Sequence, residues 1–353
     1  MTENKADSKM RKRSSPMRKF WLLVAVIVLL AGGLCGAWYY GANRLEREIA
    51  SLKQRLTDEG VAADCEGQEI RGFPFRLGVF CDTFFYADPV NGVTVSGNAI
   101  RSAAQLYRPG HVVSETDGPL KVSAPGLVPL LLDWEKLRSS VRVSMSGLRR
   151  TSLVAENISV SADDLGLVDL LGTMRGLQMH LLAGDENGNG EPQDLVASAA
   201  IDGWQIDDGG TGQIEPVDFS LLVTVRDGLA LAVSGQDPLT VLRSQGGEAD
   251  LAGIEFSTGD GGRLRASGPL QLGRNGKLSG ELELDLDDPQ KLVDYAASVF
   301  PPAREMLGNV ASYLEAFSAN TGGRTQVRGL KLTLRDNKVL LGFIELAELP
   351  RFY

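Results

Sequence analysis

Twenty-two residues without a single charge, Phe20 to Gly41, constrain this chain more than any other feature. As a helix rising about 1.5 Å per residue, the run crosses the ~30 Å apolar core of a bilayer. It predicts that the 312 residues after it lie beyond a membrane. The flanks set the direction. Lys5, Lys9, Arg11, Lys12, Arg13, Arg18 and Lys19 outnumber Glu3 and Asp7 in residues 1–19, so the positive-inside rule keeps this arm cytoplasmic and exports the remainder. The arm reads as a topology signal, with contact to anionic lipid as the other reading. Phe20 and Trp21 at one end, and Trp38, Tyr39 and Tyr40 at the other, suit the two interfacial belts of a membrane anchor. A cleaved signal peptide has an apolar region of about 7–15 residues and a small-residue cleavage site, and neither fits here. Leu34, ahead of Cys35, spoils a lipobox. The sequence therefore predicts an uncleaved anchor.

Charge separates the two sides. The whole chain carries −9 and the basic arm +5, which leaves −14 on residues 20–353. An acidic body repels nucleic acid and anionic headgroups, which excludes polynucleotide partners. Cys35 lies in the apolar run as a small apolar residue. Cys65 and Cys81 stand in the exported part, and a bridge between them would close a loop of about 16 residues, worth roughly 3 kcal/mol by loop entropy. A structural disulfide is the reading taken, with free or redox-active thiols as its alternative; two cysteines this isolated do not make a zinc site.

The periodicity divides the chain into four: a basic tail 1–19, a transmembrane helix 20–41, an amphipathic stalk helix 42–60 and a β-rich domain 61–353. In the stalk, Leu45, Ile49, Leu52 and Leu56 recur at helical spacing, Gly60 ends the run, and packing on its own domain is expected over dimerisation. Beyond Cys65 the period is two. Leu282, Leu284 and Leu286 alternate with Glu283, Asp285 and Asp287, and Leu330, Leu332 and Leu334 repeat the pattern. Hairpins are expected around Arg226-Asp227-Gly228 and around Gly259-Asp260-Gly261-Gly262. Helices are expected from Asp288-Pro289 to Phe300, along Leu307 to Phe317, and, more briefly, near Leu127 to Arg138. The fold class is mostly β, of α+β type: a curved antiparallel sheet with a few covering helices, preceded by one transmembrane helix.

Catalytic signals are sparse. His111 and His180 have no second histidine or carboxylate at a ligand spacing, and no zinc-protease, nucleophile-elbow, Walker or dinucleotide fingerprint is present. Asp185, Asn187, Asn189 and Glu191, around Gly188 and Gly190, match the first half of a calcium loop; Val196 stands where its bidentate acid belongs. An ordinary acidic surface turn is the competing reading. No catalytic residue and no cofactor are expected, calcium at this loop aside. Phe73-Pro74-Phe75 reads as two rings packed into a core beside a stiffened edge strand, or else as a lipid- or partner-facing edge.

The segment Arg71-Gly72-Phe73-Pro74-Phe75-Arg76-Leu77, set between Cys65 and Cys81, resembles the signature of the family known as domain of unknown function 2125. Tyr107-Arg108-Pro109-Gly110-His111-Val112-Val113, Gly118-Pro119-Leu120, Asp133-Trp134-Glu135 and the closing Leu340-Leu341-Gly342 to Glu348-Leu349-Pro350 fit the same pattern in order. Phe343 departs from it, in place of a Gly-Pro type of tail motif. The resemblance implies a single-pass protein of the Gram-negative inner membrane, N-terminus cytoplasmic and C-terminal domain periplasmic. By looser similarity it implies kinship to AsmA-like envelope proteins, whose curved sheets form apolar grooves. The expected function is a non-enzymatic binding or scaffolding domain in lipid handling or envelope maintenance, with a protein–protein adaptor of a membrane complex, or an enzyme of another type, as alternatives. The expected partners are membrane lipids through the anchor, and an apolar ligand or an envelope protein.

Overall fold

A computed structural model of the chain describes residues 16–144, 147–164, 167–184, 193–207, 214–229, 238–299, 319–321 and 324–351. Helix α1, Pro16–Asp58, runs unbroken from the apolar segment into the stalk, about 65 Å at 1.5 Å per residue. It is long and apolar enough to cross a membrane, as an anchor or as a signal sequence. Gly32, Gly33, Gly36 and Gly41 weaken the apolar run only mildly, and no proline follows Pro16 within α1, so nothing interrupts it. Leu45, Ile49 and Leu56 turn inward while Leu52 stays exposed. The stalk lies on its own domain: Lys53 Nζ meets Asp64 Oδ1 at 2.8 Å.

Apart from two short helices, the elements beyond α1 form one 20-stranded antiparallel sheet among the described residues, curved and unclosed. Its first part consists of four chain passes, each broken into two short strands. The passes are β1 (Ala62–Glu66) with β2 (Glu69–Arg71), then β3 (Arg76–Cys81) with β4 (Thr83–Asp88). They continue as β5 (Val93–Gly97) with β6 (Ile100–Gln105), and β7 (Arg108–Thr116) with β8 (Leu120–Ser123). One ladder runs β1–β4–β5–β8 and the other β2–β3–β6–β7, so a crease crosses all four passes. The residues at the crease are those a sharp bend requires. Gly67 has φ +65°, and a Cβ there would collide with the Asp82 carboxylate. Asp82 N donates to Glu66 O at 2.8 Å, and Asp117 N to Ala99 O at 2.9 Å.

Both ladders end on β9 (Leu130–Ser144): β8 pairs with Leu130–Leu132, and β7 with Leu137–Arg142. From β9 the chain meanders through β10 (Gly147–Asp164), β11 (Leu167–Ala183), β12 (Leu195–Ile206) and β13 (Val217–Val225). After helix α2 (Pro238–Gln245) come β14 (Gly247–Thr258), β15 (Arg263–Leu272) and β16 (Leu278–Asp287). Helix α3 (Pro289–Val299) then leads toward β17 (Ala319–Thr321), β18 (Arg324–Arg335), β19 (Lys338–Leu341) and β20 (Ile344–Glu348). Ala266, Leu284, Leu286 and Val327 form the buried cluster, with Leu292 of α3 packed against it.

Two expectations fail. Leu127 to Arg138 is not helical: Leu130–Leu132 are bridged on both sides, to Leu120–Val122 and to Ser161 and its neighbours. Arg226-Asp227-Gly228 does not close a local hairpin, because β13 pairs with β14, Val225 opposite Ala249. Cross-strand pairing outweighs the local turn and helix signals in both places. The hairpin through Gly259–Gly262 forms as expected, with Phe256 opposite Leu264. The segment Leu307 to Phe317 lies outside the described residues.

Candidate functional site

The site is built where α1 meets the crease-bearing part of the sheet. Trp38 is 8% exposed, and its indole N–H donates to Arg76 O across 2.7 Å. Phe73 stacks edge-on against Trp38 at 5.3 Å between centroids and lies 5.9 Å from Tyr39. Three residues on, a Cβ built on Gly41 would stand 3.5 Å from Leu77 Cδ2 and 4.0 Å from Leu106 Cδ1. The helix backbone therefore passes directly over β3 and the β6–β7 turn. Leu106 N donates to Phe75 O at 2.9 Å, which holds the two loops together.

This overturns the core reading of Phe73-Pro74-Phe75. Phe73 is 52% and Phe75 59% exposed; with the exposed Tyr39 and Tyr40 of α1 and Tyr107 of the adjoining β6–β7 turn they make an aromatic collar at the end of the apolar run. The matching chemistry of Trp38-Tyr39-Tyr40 was the signal that could have placed them there. Trp134, the other distant residue of the pattern, marks the point where the crease reaches β9, and its indole N–H donates to Thr116 O at 2.8 Å. Gly72 precedes the collar with φ +111°.

From the collar an apolar face extends across the sheet. Residues paired in an antiparallel ladder share a face. The register aligns Leu77, Ala104, Val112, Val141, Thr151, Leu181, Ala197, Val223 and Leu251 in one row beginning under Gly41. A parallel row runs Leu153, Met179, Ala199, Leu221, Ile254, Ala266, Leu284 and Leu330. At about 4.8 Å per strand the first row is roughly 40 Å long. Helix α3 covers this face over β14 and β15, with Tyr295 5.7 Å from Phe256 and its phenol pushed up by burial. Further along, at β11, Met179 is 49% exposed.

The opposite face carries charge. Its row Glu115, Arg138, Val154, Gln178, Ala200, Ser220, Glu255, Arg265 and Asp285 is laced by ion pairs, Arg138–Glu115 at 2.7 Å and Arg265–Glu255 at 2.8 Å. Arg101 bonds Asp117, and this bond first, with nearby carboxylates, raises its pKa. At the collar end the signs no longer balance. Arg108, His111, Arg142 and Arg149 surround a hollow of about 420 Å³, and Arg76 shares with His111 a second one of about 450 Å³. Sequence reasoning missed this group, because its members are scattered over 74 positions.

Cys65 and Cys81 are bridged, with Cα atoms 5.4 Å apart, at the crease ends of β1 and β3. Asp185, Asn187, Asn189 and Glu191 lie outside the described residues, and among the described residues no three His, Cys, Asp or Glu side chains converge on a metal position. His111 and His180 lie on separate strands, β7 and β11, and among the described residues neither makes an ion pair with a carboxylate. Phe343 sits fully exposed in the β19–β20 turn.

No curated protein and no solved structure matches the chain. Residues 38–350, from the indole that α1 lays on the sheet to the proline that follows the last strand, match the family described as uncharacterized protein conserved in bacteria, domain of unknown function 2125, and the chain belongs to that family.

Proposed function

We propose that this is a single-pass inner-membrane protein, N-terminus cytoplasmic, whose periplasmic domain binds the acyl chains of lipids on the apolar face of its open sheet, without chemistry of its own. The observation that carries the reading is the row from Leu77 to Leu251, which starts against α1 at Gly41. An acyl chain leaving the bilayer beside α1 would meet an apolar side chain on every strand but β10, where Thr151 stands, and half of a ~30 Å bilayer core is well within the row's length. The charged opposite face keeps the sheet soluble and gives it one wet side. The basic arm and the aromatic collar support the orientation and the depth at which the domain sits.

Mass spectrometry of lipids retained by the purified, detergent-extracted full chain tests this. Stoichiometric lipid that is lost in Met179→Glu supports the reading. A chain that retains a protein and no lipid would instead make it an adaptor.

A further inference from the structure

We infer that Arg108, Arg142 and Arg149, with His111 among them and Arg76 alongside, bind the phosphate of an anionic phospholipid in the leaflet that α1 leaves. The inference rests on the reading that α1 crosses a membrane, and it is independent of the acyl-binding face.

The group is assembled against its own electrostatics. In the ladder Arg142 stands opposite His111 on one side and opposite Arg150 on the other. Like charges placed directly across a ladder repel, so such a column is normally broken by carboxylates. Here it is not. Among the described residues no carboxylate lies within 4.0 Å of Arg76, Arg108, Arg142, Arg149 or Arg150, while elsewhere on the sheet Arg101, Arg138, Arg263 and Arg265 all have acidic partners. Arg149 is steered by Ser144 Oγ, which accepts its Nε–H at 3.2 Å. In a body that carries −14 beyond the basic arm, an unneutralised arginine group is a local reversal of sign.

Its place selects the anion. Arg76 follows Phe75, and its carbonyl takes the Trp38 indole; Arg108 follows Tyr107 and stands two residues from the Leu106 that lies under Gly41. The arginines thus flank the aromatic collar, at the level where a bilayer changes from acyl chains to phosphates. Guanidinium forks match phosphate oxygens two at a time, which a lone lysine cannot do. A hollow of about 420 Å³ with Gly110 and Val143 in its wall has room for a phosphate headgroup.

The test uses the full chain in a neutral detergent, with short-chain phosphatidylglycerol, phosphatidylcholine and diacylglycerol as probes, and inorganic phosphate as a separate arm. Binding is read by native mass spectrometry at about 50 and about 300 mM salt. Phosphatidylglycerol is expected to bind in preference to the other two and to weaken with salt. The double variant Arg142→Gln, Arg149→Gln should lose roughly tenfold in that affinity, whereas Arg226→Gln, which removes an arginine paired with Glu248, should not. Retention of the melting temperature certifies the fold of both. Equal binding of all three lipids, an unaffected double variant, or displacement of phosphatidylglycerol by millimolar inorganic phosphate overturns the inference. Met179→Glu should leave the headgroup preference intact, so failure of the acyl-binding reading is seen separately.

Discussion

The Trp38 indole donates to the Arg76 carbonyl across 2.7 Å, joining the end of the apolar run to the first residue of β3. Through this bond the orientation of the sheet is tied to the helix, and the apolar row beginning at Leu77 is placed directly beside α1.

Removing that tie should loosen the whole domain from its helix. Trp38→Ala deletes a nearly buried ring and its stacking on Phe73, and should cost about 2–4 kcal/mol. Trp38→Phe keeps the ring and loses the bond, for about 1 kcal/mol. Denaturant unfolding in micelles gives both numbers, and limited proteolysis near Gly60 should accelerate in the same order.

The Cys65–Cys81 bridge closes 16 residues at the crease. Its removal by the double Cys→Ala change should lower stability by roughly 3 kcal/mol on loop entropy. Reductant should produce the same loss in the native chain and none in the variant, as read by thermal unfolding with and without dithiothreitol.

Gly67→Ala places a Cβ against the Asp82 carboxylate at φ +65°. It should destabilise by about 1–3 kcal/mol, whereas Gly60→Ala, where nothing stands within 4 Å of the new Cβ, carries only the cost of its positive φ. Comparing the two melting temperatures separates the steric from the conformational contribution.

The stalk contact has a pH dependence of known sign. Asp64 is held below the usual carboxylate range, first by the hydrogen bond from Lys53 and then by the Cys65 N–H. A lowered folded value means the contribution is complete above the unfolded value, about 4, and is lost as pH falls through the folded one. Stalk docking should therefore be constant from pH 5 to 8 and loosen below about 4. Hydrogen exchange of the helix around Lys53 measures it, and Asp64→Asn should remove the acid-dependent step.

Much of this was legible in the residues, and what was not has a common cause. The uncharged run and the Leu45–Leu56 stripe foretold α1 because a helix shows its environment at every third or fourth position. The strict alternation of Leu282–Leu286 foretold β16 for the corresponding reason. Leu130-Leu131-Leu132, by contrast, reads equally well as helix, and only pairing to β8 and β10 makes it a strand. The Asp227-Gly228 turn signal was real in composition, yet β13 finds its partner 24 residues on, opposite Ala249. The collar and the arginine group depend on residues far apart in sequence meeting at one sheet edge, and no local period records such a meeting.

The most direct test of lipid binding is photo-crosslinking in intact cells, with a benzophenone amino acid placed at Met179 on the apolar face or at Gln178 on the opposite one. These positions are adjacent in sequence and differ in face alone. The account predicts a lipid adduct at 179 and none at 178. Adducts at both positions, or at neither, would contradict it.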